Sequence, residues 1–196
     1  MMNAPDPSRR KRETHQAILD AAWAALEAEG WDALTVDRIA ARAGVGKQTV
    51  YRWWRDKADV VFEAFLDQAR AQVPPSRARE LPDLLRENAR NFVRLYAGTP
   101  LGARLRELLG VAQRDPRLAE AMREHWFLPR RDSLRRALLD AQDNQLIRSD
   151  VDADTILDLL FGPLHYRLLT GHAPVDRRFA DSVTALTLAA IAREAV

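Results

Sequence analysis

Between Thr35 and Lys57 the chain reads TVDRIAARAGVGKQTVYRWWRDK, two short helical runs broken at Ala43-Gly44-Val45-Gly46. No other feature of the sequence constrains the fold as much. Ile39, Ala40 and Ala43 share one side of the first run, with Thr35 placed as its N-cap and Asp37 at the positive end of its dipole. Gly44 can take the left-handed conformation that ends a helix, and Val45 fills the corner. The second run is expected to start near Lys47 and to reach Trp54. At ~100° per residue, Val50 and Trp54 face a small core. Gln48 and Arg52 then point away from it, Thr49, Tyr51 and Trp53 lie on the flanks, and Lys47 sits in the first turn. Such an outward face has the donors that base edges and phosphates need, although an αα-hairpin with a solvated polar face gives the same pattern. Lys57 opens the next helix, where a cation opposes the dipole unless an anion such as a phosphate is near.

The register is more specific than the periodicity. This stretch resembles the helix-turn-helix of TetR-type transcriptional regulators through Thr35, Ile39-Ala40, Ala43-Gly44-Val45, Thr49-Val50-Tyr51, Trp54 and Lys57. Gly46 departs from the pattern, standing where that family more often has a Ser N-cap, and Gly caps only slightly less well. Trp53 and Trp54 are bulkier than usual. The resemblance implies an all-α homodimer: an N-terminal three-helix helix-turn-helix module plus a C-terminal helical bundle, about nine helices in all. It implies a double-stranded DNA operator and a small-molecule effector as partners. Geometry favours Gln48 and Arg52 for base edges, since Gln matches adenine and Arg matches guanine. The family comparison favours Lys47, Thr49, Tyr51 and Trp53 as the contacts, with Lys57 and Tyr51 holding phosphates.

Charge is distributed unevenly. Of 30 Lys/Arg and 28 Asp/Glu in 196 residues, residues 1–58 hold ten and eight, leaving 20 of each for residues 59–196. The excess of +2 is concentrated in Arg9-Arg10-Lys11-Arg12 and around the second helical run. Residues 1–12 therefore read as a flexible basic arm, either a solubilising tail or a contact to phosphates or the minor groove. Residues 13–60 form the expected DNA-binding domain and 61–196 the effector-binding and dimerisation domain. Cysteine is absent, which excludes disulfides, thiolate zinc sites and a Cys nucleophile. No continuous apolar segment approaches ~18 residues, so a soluble, cytoplasmic protein without a membrane partner is expected.

Helix 1 is expected from about Glu13 to Glu29, and a fourth helix from Lys57 until Pro74-Pro75 stops it. Thr99-Pro100 and Asp115-Pro116 each pair an N-cap with Pro at the first helical position. Pro129 and Gly162-Pro163 are expected to kink their helices. The last two helices, about 155–170 and 176–195, are apolar on more than one face, the mark of burial on two sides, either as internal helices of one bundle or, more simply, against a second copy. GPLHYRLLTG (162–171) also resembles the C-terminal domains of one TetR group.

Chemistry for catalysis is missing. His15, His125, His165 and His172 are scattered, Glu124-His125 lacks a second His, and no nucleophile elbow, phosphate loop or dinucleotide fingerprint occurs. No catalytic residue, metal site or cofactor is expected. Phe92, Tyr96, Met122, Trp126, Phe161, His165 and Tyr166 lie on helices expected to converge behind the DNA module, either as plain core or as the wall of a ligand cavity. The expected function is that of a sequence-specific DNA-binding transcriptional regulator, a repressor released from a palindromic operator by a ligand. The alternatives are an activator or ligand-independent regulator of the same fold, or a helical small-molecule-binding protein or enzyme.

Overall fold

The computed structural model describes residues 7–72 and 78–193, and the side chains from residue 11 onward within the first helix. Among the described residues all regular structure is helical: α1 (Pro7–Ala33), α2 (Val36–Arg42), α3 (Lys47–Tyr51), α4 (Lys57–Gln72), α5 (Leu81–Tyr96), α6 (Pro100–Ala112), α7 (Pro116–Met122), α8 (Leu128–Asp143), α9 (Ala153–Thr170) and α10 (Arg177–Ile191). A π turn, Arg123–Phe127, joins α7 to α8 in one rod, so nine rods result. The π turn lies where a kink was expected at Pro129. That proline lacks the N–H a regular α-turn requires, and widening the preceding turn accommodates the loss. α9 runs through Pro163 without ending. α1 starts at Pro7, earlier than its apolar stripe indicates, and kinks at Gly30 (φ 74°) before one further turn. Residues 1–6, and the Pro74-Pro75 stop, lie outside the described residues.

Local caps explain most boundaries. Thr35 Oγ1 accepts from the Arg38 N–H (3.3 Å) at the start of α2, and Gly44 takes φ 67° just past its end. Thr99 caps α6 through the Gly102 N–H (3.0 Å), Asp115 caps α7 through Arg117 and Leu118, and Asp152 and Asp176 cap α9 and α10. Gly102 is required sterically: a Cβ there would lie 1.8 Å from the Tyr96 carbonyl oxygen, where α6 crosses the end of α5. α3 is shorter than the sequence pattern indicates. The chain leaves it after Tyr51, and the Trp53 and Trp54 N–H groups both return to the Val50 carbonyl at 3.0 Å.

α1 packs on α2 and α4, with Ile18, Leu26, Ile39, Val50 and Trp54 buried together. α5 lies against α6, α8, α9 and α10 in the second half. α4 serves both halves: Val60, Val61, Phe62, Phe65 and Leu66 are all buried, and one apolar cluster runs from α1 through α4 into the bundle. α9 and α10 pack together, yet Leu159, Tyr166 and Leu169 of α9 and Leu186 of α10 stay exposed, Leu186 to 72%. No helix among the described residues is long and apolar enough to cross a membrane.

Candidate nucleic-acid interface and ligand cavity

On α3 the phase argument becomes geometry. Val50 and Trp54 are buried, while Lys47, Gln48, Tyr51 and Arg52 are exposed on the opposite side. Thr49 and Trp53 are half-buried at the edges. Gly46 is the N-cap and offers no side-chain hydrogen bond, so the α3 N-terminus keeps open donors. Lys47 Nζ pairs with Asp37 (2.9 Å), a hydrogen bond that raises the ammonium above its ordinary pKa. Arg52 lies over the Trp53 ring, Cζ 4.8 Å from the centroid.

Lys57 requires a correction. Instead of facing outward to a phosphate, its Nζ donates to the carbonyls of Trp31 (2.7 Å) and Leu34 (3.0 Å) and sits 4.6 Å from the Trp31 ring centroid. The cation satisfies carbonyls left open where α1 ends, and it joins α4 to the α1–α2 connection. Trp53 and Trp54 also have an explanation. His15 stacks on Trp54 (4.8 Å) and meets Trp53 edge-on (5.5 Å). Glu63 accepts from Trp54 Nε1 (2.7 Å) and lies 3.2 Å from His15 Nε2.

Behind this module a cavity of about 360 Å³ opens among α5, the π turn, α8 and α9. Phe92, Tyr96, Trp126, Phe161 and His165 line it. Met122 and Tyr166 do not. Met122 is sealed in the core at 1% exposure, and Tyr166, about 100° round α9 from His165, is 61% exposed beside His172. Asn88, Asn91, Arg130, Arg131 and Asp158 add a polar share to the wall that the aromatic pattern gave no reason to expect. A faint signal exists: Asn88 precedes Phe92 by one turn, Arg130 follows Trp126 by one turn, and Asp158 precedes Phe161 and Gly162.

Burial depresses the His165 pKa against the effect of its Nδ1 contact with the Phe161 carbonyl (3.0 Å), and Arg131 adds to the depression, so the ring is neutral near pH 7. Burial also drives the Tyr96 phenol well above its ordinary value. For Arg130, burial lowers the guanidinium pKa, the Tyr96 phenol opposes the change and Arg70 of α4 adds to it.

Comparison with known proteins decides the family. Residues 18–64 match the family model described as "Bacterial regulatory proteins, tetR family", and residues 80–187 match "Tetracyclin repressor-like, C-terminal domain". The chain belongs to the TetR family. This TetR-family chain is 38% identical over 176 residues to the uncharacterized HTH-type transcriptional regulator YdeS of Bacillus subtilis, covering 89% of this chain and 88% of YdeS. It is 36% identical over 165 residues to the uncharacterized regulator Rv1556 of Mycobacterium tuberculosis, covering 82% and 77%. The solved TetR-family regulator SCO0332 superposes with a TM-score of 0.75 at 30% identity, covering 92% of this chain and all of that one. The protein is accordingly a helix-turn-helix transcriptional regulator that binds DNA, and not an enzyme.

Proposed function

We propose that this TetR-family regulator is a ligand-released repressor that holds a palindromic operator as a cytoplasmic homodimer. The observation that carries this reading is the pairing of an exposed polar α3 face with an apolar cavity behind it, joined by α4. Gln48 and Arg52 read base edges, Lys47, Thr49, Tyr51 and Trp53 frame the contact, and Tyr51 holds a phosphate. Residues 13–60 act as the DNA-binding unit and 61–196 as the effector-binding and dimerisation unit. The unpartnered apolar side chains of α9 and α10 favour a second copy as their cover, in a four-helix interface.

The coupling runs through contacts at the middle and the start of α4. Trp126 of the cavity wall lies 4.6 Å from Phe65 of α4. At the start of α4 Lys57 clasps the α1–α2 connection, where Glu107 of α6 also accepts from the Trp31 N–H (2.7 Å), while Arg104 of α6 donates to the Leu26 carbonyl within α1 (3.0 Å). A ligand that favours a different seating of Trp126 shifts α4 and with it the spacing of two α3 helices, in proportion to its differential affinity for the two states. The test is a mobility shift on the DNA upstream of the protein's own coding region. The expected result is a discrete complex that survives excess random duplex and dissolves when a cavity ligand is added. A complex indifferent to sequence would contradict the reading.

A further inference from the structure

The cavity holds a positive charge that nothing in its wall neutralises. Arg131 is matched, its Nη1 on Asp158 (2.7 Å) and its Nη2 on Asp154 and the Asp154 carbonyl (3.4 and 2.8 Å). Arg130 has no carboxylate among the described residues. Its one hydrogen bond goes to the Trp126 carbonyl (3.4 Å), and its Cζ lies 3.2 Å from the Trp126 ring centroid. Beside it the Tyr96 hydroxyl, on a residue only 4% exposed, has no hydrogen-bond partner. A half-buried cation with no carboxylate and a buried hydroxyl with no acceptor carry a cost that an incoming acceptor removes. The guanidinium has N–H groups to spare and the phenol an O–H to donate, so an acceptor with negative charge suits both.

The rest of the wall narrows the choice further. Phe92 meets His165 and Tyr96 nearly edge-on, at 4.7 and 5.0 Å, and stands 6.5 Å from Phe161. A further ring continues that edge-to-face arrangement. With Arg131 already matched on Asp158 and Asp154, Arg130 is the wall's cation without a carboxylate, and a singly charged acceptor is enough to balance it. A guanidinium fork fits a planar carboxylate in two parallel hydrogen bonds.

We propose that the cavity binds a compact aromatic monocarboxylate, its carboxylate on Arg130 and the Tyr96 hydroxyl and its ring against Phe92 and Phe161. This rests on the reading of the cavity as the ligand site and names the ligand class. Neutralising Arg130 also relieves its repulsion with Arg70 in the last turn of α4, which gives an acid a direct effect on the connecting helix.

Calorimetric titration of the full chain with 2-naphthoate and its neutral isostere 2-naphthamide tests the assignment. The carboxylate is expected to bind about 10- to 100-fold more tightly, the range of a hydrogen bond to a charged group. Arg130→Gln brings that ratio close to one by weakening the carboxylate far more than the amide, and Tyr96→Phe lowers the ratio severalfold. Equal affinity of the two probes for the unaltered chain overturns the carboxylate assignment while leaving the ligand cavity standing. Binding of neither probe brings down both. Should Arg130→Gln fail to fold, the ratio in the unaltered chain decides.

Discussion

Five consecutive residues make up α3, whereas the cavity draws its wall from α5, the π turn, α8 and α9. The α3 face is polar because helical phase leaves Gln48 and Arg52 opposite Val50 and Trp54. The cavity is apolar with one unmatched cation because four segments, far apart in sequence, happen to stop short of filling the space between them. A surface built by one helix is fixed by local rules. A hollow is fixed by packing, and its polar content depends on which side chains of each helix end up facing inward.

The most disruptive way to sharpen this contrast is to attack the buried side that holds the polar face in place. Trp54→Ala removes a buried ring, its stack on His15 and its hydrogen bond to Glu63. It should destabilise the fold by about 3–5 kcal/mol in a urea titration. Arg52→Ala, by contrast, should leave stability unchanged and weaken operator binding by about 1–3 kcal/mol with relaxed sequence preference, read by anisotropy on matched and mutated duplexes. If stability fell as well, Arg52 would be a packing residue. Lys57→Ala lies between the two cases. The loss of two charge-assisted bonds to main-chain carbonyls should cost about 1–2 kcal/mol of stability while the salt slope of DNA binding stays constant. A reduced slope with full stability would return Lys57 to the phosphate role.

The smallest expected effect belongs to the cavity. Because burial depresses the His165 pKa, the unfolded chain binds the proton more readily than the folded one. Folding stability should therefore fall as pH drops below the ordinary histidine value of about 6.5 and be fully present above it. Arg130, Arg131 and Asp158 share the cavity with the imidazole. Melting temperatures of the parent chain and His165→Gln at pH 5.5 and 7.5 check this, with the pH difference smaller in the variant.

The sequence was readable wherever a single element carries the information. Thr35 and Gly44 bound α2 as their chemistry demands, and the Thr99 and Asp115 caps mark α6 and α7. Local rules failed where the partner is remote. Lys57 looked like a cation facing outward until α1's carbonyls closed over it, 26 and 23 residues away. Trp53 and Trp54 looked oversized because nothing nearby in sequence announces His15 and Glu63. The candidate cavity residues come from helices expected to converge, without regard to phase, and Tyr166 shows how a shift of one residue carries a side chain from the wall to solvent. Arg130 escaped notice because an arginine among Arg131, Arg135 and Arg136 reads as a solvated charge run until the fold turns it inward.

Footprinting of the complex on its operator tests the central claim most directly, that the outward side of α3 docks in a groove of duplex DNA. The account predicts two protected major-groove patches on one face of the helix, about 34–36 Å apart or slightly more, both lost in the double variant Gln48→Ala, Arg52→Ala. Protection that is continuous along the duplex, or that persists in the double variant, would contradict it.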